Sequence, residues 1–196
     1  MTTNNKAFYG IQSAGGVATA GLRGTSPWLA DNLWIELRAM ATTGGDRRNI
    51  LIGIGIDPSA GSIICAGLDL SGSISNTTGY SHKPSYIIGR LTSGSRLIAA
   101  DSFVTSGIVD YPPQFNCFRV RLTRDLISSP NKLKVDLYGS SAVADTPQVS
   151  RTYTSGVEFS PGMIGIVAIG CGIFVDSFGI TVASDSHTVA TCGSCS

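Results

Sequence analysis

Short runs of alternating hydrophobic and polar residues recur along this chain. In LWIELRAMA (33–41), leucine, isoleucine and alanine fall on one side of an extended backbone, and Trp34 and Glu36 fall on the other. FRVRLTR (118–124) and KLKVDLY (132–138) alternate in the same way. A period of two residues is the repeat of a β-strand with one buried face. The pattern therefore predicts three strands that each turn one side toward a core.

Other apolar runs are separated by turn residues and are predicted to pair as hairpins. Residues 49–57 and 62–70 flank DPSAG, and residues 86–91 and 95–101 flank TSG. Proline, glycine, aspartate and serine are the residues that tight turns favour. Two antiparallel hairpins are therefore expected in the first half of the chain.

A third hairpin is predicted between 118–124 and 132–138, with Ser, Pro and Asn at the turn. An antiparallel register would place Asp136 opposite Arg119 or Arg121. Such a cross-strand ion pair contributes a few tenths of a kcal/mol.

The most apolar segments, 162–170 and 171–183, lie near the end of the chain and read as strands covered on both faces. Three residues of the last strand share parity and are predicted to lie in the core: Phe174, Phe178 and Ile180. Asp176 is expected on the same side, hydrogen-bonded rather than catalytic.

The composition favours strands and argues against long helices. Charged residues make up 14% of the 196 residues, against roughly 25% in an average soluble protein. Only 2 acidic residues are Glu and only 4 basic residues are Lys, so strong helix formers are scarce. Turn clusters recur along the whole chain from Trp28 onward. The predicted fold is all-β, a sandwich of two antiparallel sheets.

The predicted organisation is an N-terminal arm (1–27), one sandwich domain (28–183) and a C-terminal tail (184–196). The arm and the tail consist mostly of small and polar residues, apart from AFYGI (7–11), which could form one strand. Removal of residues 1–20 is expected to leave the sandwich folded.

The charge balance and hydropathy exclude some partners. The formal net charge is +1, which gives no basic surface for a nucleic-acid backbone. The start MTTNNKAFYG has no apolar core of a signal peptide, and no run approaches the roughly 18 apolar residues of a membrane span. We therefore expect synthesis in the cytoplasm without a signal peptide, no membrane insertion and no nucleic-acid partner.

The second half of the chain resembles the concanavalin A-like lectin/glucanase family, which includes laminin G-like modules. The order is FRVRLTR, KLKVDLYGS, a proline-containing loop, SPGMIGIVAIG and IFVDSFGITVA. In that family a strand beginning Gly-x-x-Gly and a last strand with aromatic-x-Asp-x-aromatic close the sandwich. Gly162 and Gly165 match the first pattern, and Phe174, Asp176 and Phe178 match the second. WIELRAMAT (34–42) also resembles the family's early strand, so the resemblance spans about residues 28–183 and implies a jelly roll.

The hydrolases of that family carry Glu-x-Asp-x-x-Glu on one strand, because retaining cleavage needs two carboxylates close together. Here Glu36 and Glu158 each lack a partner at strand spacing. No Gly-x-Ser-x-Gly elbow occurs, and both histidines lie in polar segments. The sequence therefore predicts a protein that is not an enzyme and has no cofactor. It assigns no residue to a metal, because no Asp-x-Asp or Asp-x-Asn pattern supports calcium, which stays open.

Candidate contact residues are aromatic side chains and a histidine in polar segments: Tyr80, His82, Tyr111 and Tyr153. Each fits stacking on a sugar ring or contact with a protein partner, and each also fits ordinary packing.

Five cysteines occur in the chain. Cys65, Cys117 and Cys171 stand in strand-like runs and are predicted to be reduced core residues. Cys192 and Cys195 form a CxxC motif, for which tail thiols, a local or inter-chain disulfide, or half of a metal site remain open.

The favoured functional hypothesis is a structural protein of a phage virion, such as a capsid decoration or cement protein or a tail-associated component. It would act as a homo-oligomer, for example a trimer, with other virion proteins and cell-surface glycans as partners. The arm and tail offer few large apolar groups of their own, and the low charge suits a surface covered by neighbouring chains. The alternatives are a stand-alone glycan-binding lectin and, third, a glycoside hydrolase.

Overall fold

Eleven strands make up the part of the chain that the computed structural model describes, which is residues 17–22, 32–42, 48–56, 62–70, 85–92, 96–105, 114–125, 129–139, 146–154 and 163–182. In chain order they are β1 (Val17–Leu22), β2 (Asn32–Ala41), β3 (Asn49–Ile56), β4 (Ser62–Asp69), β5 (Ser85–Thr92), β6 (Arg96–Thr105), β7 (Asn116–Asp125), β8 (Ser129–Tyr138), β9 (Val149–Tyr153), β10 (Met163–Ile169) and β11 (Ile173–Val182). These ranges contain no helix, and hence none that could cross a membrane.

The strands form two antiparallel sheets. The six-stranded sheet has the order β1-β10-β3-β4-β5-β6, and the five-stranded sheet has the order β11-β2-β7-β8-β9. Sequence neighbours pair within the series β3 to β6 and β7 to β9, whereas β10 and β11 return to strands from the start of the chain. The predicted two-sheet antiparallel sandwich is confirmed.

The core lies between the sheets and follows the predicted alternation. Along β2, the residues from Leu33 to Ala41 alternate between buried and half-buried. Their inward side chains meet Phe118 and Val120 of β7 and residues such as Ile52 of β3 in one cluster. Burying large aliphatic side chains contributes roughly 1.5–3 kcal/mol each, so this cluster is the main source of stability.

The predicted hairpins are confirmed. β3 pairs with β4, β5 with β6, and β7 with β8, all antiparallel. Arg121 stands opposite Asp136, as one of the two predicted registers requires. The Asp136 carboxylate also accepts a hydrogen bond from the Ser150 hydroxyl and lies 3.0 Å from Lys134 Nζ.

The last strand differs from the prediction because it contains a bulge. Val175 pairs with Ala39, but the next paired residue is Ser177, opposite Arg38. Because Asp176 is an extra residue in this strand, the residues of β11 before it point to the opposite faces from those that a regular alternation would give. Its carboxylate lies 2.8 Å from Arg38 Nη1 at the exposed side of the sheet.

The bulge makes one core prediction wrong and two correct in part. Phe174 pairs with Met40 of β2, whose side chain is on the outer side, so Phe174 does not belong to the core. Phe178 and Ile180 do pack against the core, although both are only half-buried. Asp176 is hydrogen-bonded, as predicted, but on the opposite face from Phe178.

The N-terminal segment predicted as an arm contains a strand of the sandwich. Residues 17–22 form β1, which pairs with β10 from Val17 opposite Ile169 to Leu22 opposite Ile164. A deletion of residues 1–20 would therefore remove most of an edge strand. The possible strand at 7–11 and the tail at 184–196 lie outside the described residues.

The three cysteines predicted to be reduced do not share one state. Cys65 and Cys171 are reduced and buried, and burial raises the pKa of Cys65 to about 12, so its thiol stays protonated. Cys117, in contrast, is disulfide-bonded. The prediction failed there because Cys117 precedes the inward Phe118 and pairs with Arg38, which puts it on the outer side of β7.

Candidate functional site

The outer face of the five-stranded sheet brings together large side chains from three neighbouring strands. In the register of β2, β7 and β8, Trp34 stands opposite Arg121, and Glu36 stands opposite Arg119. Arg119 in turn stands opposite Tyr138. Because residues of equal parity share one face of a sheet, these five side chains lie on one surface. We call them the Trp34 cluster.

The Trp34 cluster is built around two aromatic rings. The centroids of Trp34 and Tyr138 are 5.1 Å apart and the rings are tilted by 47°. The guanidinium carbons of Arg119 and Arg121 lie 5.7 and 5.5 Å from the Trp34 ring centroid. Both distances are within the reach of cation–π attraction. The indole is therefore held in place by a tyrosine and two cations.

Hydrogen bonding and nearby charges hold the Tyr138 side chain of the cluster in place. Arg121 donates a hydrogen bond to the Tyr138 hydroxyl. The pKa of Tyr138 is raised, first by burial and then by the Asp136 carboxylate, while Arg121 and Lys134 act in the opposite direction. The hydroxyl of Tyr138 is thus protonated at neutral pH and keeps its capacity both to donate and to accept.

Glu36 supplies the carboxyl group of the cluster. Burial raises the pKa of Glu36, and the positive charge of Arg119 opposes this shift. Glu36 also pairs with Gly179 of β11, a residue with no side chain to cover it. The carboxyl group therefore combines restricted hydration with a neighbouring cation, which is the setting in which hydrogen bonds are strongest.

Exposure divides the cluster into a floor and an accessible layer. Arg119 and Tyr138 are 5% and 6% exposed, whereas Trp34, Glu36 and Arg121 are half-buried and reach solvent. Such a surface offers a planar apolar ring beside fixed hydrogen-bond donors and acceptors. It suits a ligand that has both an apolar face and hydroxyl or acidic groups.

The outer face of the six-stranded sheet is different. Leu51, Ile87 and Val167 alternate with core-facing neighbours and lie outside the core cluster, yet each is 0% exposed. These three side chains are therefore closed to solvent, whereas Trp34, Glu36 and Arg121 on the five-stranded sheet are half-buried and reach it.

Only one of the predicted contact residues lies in the described part of the chain, and its prediction as a surface contact is wrong. Tyr153 is 2% exposed and belongs to the core. Its side chain points inward from β9, and the Arg90 guanidinium lies 4.9 Å from its ring centroid. Outside the described residues lie Tyr80, His82, Tyr111, Cys192 and Cys195.

The Trp34 cluster was missed although the sequence contained part of its signal. The alternation of 33–41 and 118–124 already placed Trp34, Glu36, Arg119 and Arg121 on outer faces. The sequence did not show that β2 and β7 are neighbours, because four strands separate them in the chain and they meet only in the folded sheet.

The described residues show no arrangement for metal-dependent chemistry. Within these ranges, no three His, Cys, Asp or Glu side chains come together as a metal site. Glu158, the second carboxylate considered for glycoside hydrolysis, lies outside them.

Comparisons with known proteins bear on the fold alone. No family model matches the chain, and no curated protein sequence matches it. Among solved structures, the exoplasmic/lumenal domain of VIP36 in its Ca²⁺/Man3GlcNAc-bound form is 12% identical, with 94% of this chain and 85% of that chain covered and a TM-score of 0.50. The carbohydrate-binding module CBM66 from Bacillus subtilis is 10% identical over 91% of this chain and 93% of that chain, with a TM-score of 0.48. A tail fiber protein from an E. coli phage is 12% identical over 94% of this chain but 22% of that chain, with a TM-score of 0.45. The chain therefore has a jelly-roll sandwich fold similar to that of the VIP36 exoplasmic/lumenal domain.

Proposed function

We propose that this chain is a non-enzymatic carbohydrate-binding protein and that the Trp34 cluster is its binding site. The observation that carries the proposal is a half-exposed indole held between Tyr138 and two guanidinium groups, with a carboxyl group beside it. Sugar rings present an apolar C–H face and a rim of hydroxyl groups. An aromatic plane with polar groups at its edge complements both.

Each side chain has a distinct role in this proposal. The ring of Trp34 stacks on the apolar face of a sugar. Glu36 accepts hydrogen bonds from sugar hydroxyls, and Arg121 donates to hydroxyl or acidic oxygens. Arg119 and Tyr138 are buried and position the indole, so they are positioning residues.

The charge of the cluster favours sugars with an acidic group. Three cations, Arg119, Arg121 and Lys134, face two carboxyl groups: Asp136, opposite Arg121, and Glu36, whose pKa is raised by burial. A planar guanidinium binds a carboxylate through two parallel hydrogen bonds. We expect acidic oligosaccharides to bind more tightly than neutral ones of the same length.

The comparison with VIP36 supports the fold part of this proposal. Its structure carries Man3GlcNAc on a sandwich similar to this one. At 12% identity the likeness concerns the fold, and the location of the site rests on the side chains described above.

Trp34→Ala is expected to weaken carbohydrate binding about fivefold, because a stacking contact of this kind is worth about 1 kcal/mol. Titration calorimetry with the best oligosaccharide from a panel of neutral and acidic glycans measures the loss. Trp34→Phe, which keeps an aromatic ring, should retain part of the affinity.

Thr152→Ala is the matched control for that measurement, because Thr152 is exposed on β9 of the same sheet but outside the cluster. It should bind like the unmodified chain. Equal affinities of Trp34→Ala and Thr152→Ala would remove the Trp34 cluster as the site.

A second candidate function is that of a structural virion protein that assembles as a homo-oligomer with other virion proteins. It is supported by the low charge, 14% of residues, and by the small, polar composition of residues 1–16 and 184–196. The two proposals are compatible, since a virion protein can carry a sugar site. Mass spectrometry of purified particles tests it, and a stable 20.4 kDa monomer in sedimentation would argue against it.

A further inference from the structure

A second group of solvent-accessible aromatic and charged side chains lies on the same sheet face as the Trp34 cluster. Along β2, Arg38 follows Trp34 and Glu36 at the same parity. The guanidinium carbon of Arg38 is 5.4 Å from the ring centroid of Phe115, which directly precedes β7. Its Nη1 atom is 2.8 Å from the Asp176 carboxylate. We call Phe115, Arg38 and Asp176 the Phe115 group.

The side chains of the Phe115 group are open to a ligand. Phe115 is 37% exposed, and no large hydrophobic side chain in the described ranges is more exposed. The side chains of Arg38 and Asp176 are 29% and 36% exposed. Asp176 is the extra residue of the β11 bulge, and bulges often re-aim a side chain next to a functional site. An aromatic ring, a guanidinium group and a carboxyl group therefore occur together twice on this face.

The two groups are separated along the strands by about 20 Å, because an extended backbone rises about 3.3 Å per residue and Arg121 of the Trp34 cluster is six residues from Phe115. Between the groups, β11 presents Gly179 and Ser177, which pair with β2 residues of the same face. Both are small and exposed. A Cβ at Gly179 would meet nothing within 4 Å, so the surface between the two groups is open there.

We propose that the Phe115 group is a second subsite, and that the ligand is a linear oligosaccharide with acidic groups on more than one ring, lying along β2. This second subsite presupposes the Trp34 site proposed above. Phe115 stacks on a further sugar ring, and Asp176 accepts hydrogen bonds from its hydroxyls. Arg38 binds an acidic group through N–H donors that its pair with Asp176 does not use. A span of about 20 Å takes several linked rings, so Arg38 and Arg121 bind acidic groups on rings that are not neighbours.

Titration calorimetry with galacturonic acid oligomers of two and six units tests the second subsite. The dimer is held by the Trp34 cluster, whereas the hexamer reaches both groups and should bind at least about tenfold more tightly. Phe115→Ala should weaken hexamer binding about fivefold, the effect of losing one stacking contact, and leave dimer binding unchanged. Phe115→Tyr keeps the ring and should bind the hexamer like the unmodified chain. A neutral glucose hexamer should bind more weakly than the acidic one.

Val104→Ala is the matched control, because Val104 is also 37% exposed but lies on β6 of the other sheet. It should change neither affinity. Trp34→Ala should weaken the binding of dimer and hexamer alike, and it separates the two proposals.

If Trp34→Ala weakens dimer binding while Phe115→Ala leaves hexamer binding unchanged, the second subsite is wrong and the Trp34 site stands. If Trp34→Ala changes neither affinity, the carbohydrate proposal itself is wrong. A hexamer that fails to bind, or that binds no more tightly than the neutral hexamer, would overturn the acidic ligand class.

Discussion

Phe118→Ala is expected to lower the free energy of unfolding by about 3–5 kcal/mol, the usual cost of removing a fully buried ring. Phe118 is 0% exposed and is among the largest fully buried side chains. It stands opposite Leu37 in the five-stranded sheet, and its ring reaches Gly67 in the six-stranded sheet. The ring therefore bridges the two layers, and its removal leaves a cavity between them.

Urea denaturation followed by circular dichroism measures this loss. Phe174→Ala is the matched control, because Phe174 is half-buried outside the core beyond the β11 bulge. It should cost about 1 kcal/mol or less, the range of partly exposed sites. Losses of equal size for the two variants would contradict the placement of the bulge.

Gly67→Ala is expected to destabilise the sandwich by about 1–3 kcal/mol through overpacking. A Cβ at Gly67 would overlap the carbonyl oxygen of Ile50, and it would lie 2.9 Å from both Leu51 Cα and Phe118 Cζ. Two of these three atoms belong to the backbone of β3 and cannot move without disturbing the sheet. The strand spacing at this point therefore requires glycine.

Gly179→Ala is the control for that substitution. A Cβ at Gly179 meets nothing within 4 Å, so the variant should change stability by no more than about 0.5 kcal/mol. Chemical denaturation of both proteins gives the comparison. A Gly67→Ala protein as stable as the Gly179→Ala protein would show that β3 and Phe118 lie less close to Gly67 than described.

The strands that could be predicted are those whose burial is one-sided and regular. Along β2, β7 and β8 the sandwich buries every second residue, so the sequence of these strands carries a period of two. The turn residues between β3 and β4 and between β5 and β6 likewise indicated hairpins of neighbouring strands. Local pattern is sufficient when both partners of a pair are adjacent in the chain.

The features that could not be predicted depend on residues distant in sequence. The bulge at Asp176 is defined only by the pairing of β11 with β2, more than a hundred residues earlier. β1 contains mostly small residues and is recognisable as a strand only through its pairing with β10. No local pattern in β7 distinguishes the disulfide-bonded Cys117 from a reduced strand cysteine.

In the candidate site, too, the facing of each side chain could be predicted from local pattern, whereas the contacts between strands could not. The sequence indicated that Trp34 and Glu36 face away from the core, and separately that Arg119 and Arg121 do so. Their meeting is a consequence of sheet order, because β7 pairs with β2 on one side and β8 on the other. Loop aromatics were instead predicted as contacts, and Tyr153 proved to be a core residue.

The most direct test of the carbohydrate-binding proposal is a crystal structure of the chain with the tightest-binding acidic oligosaccharide from the glycan panel. We expect a sugar ring stacked on the Trp34 indole, its hydroxyls within hydrogen-bond distance of Glu36, and its acidic group against Arg121. A sugar bound at another face of the sandwich, with Trp34 uncovered, would contradict the account.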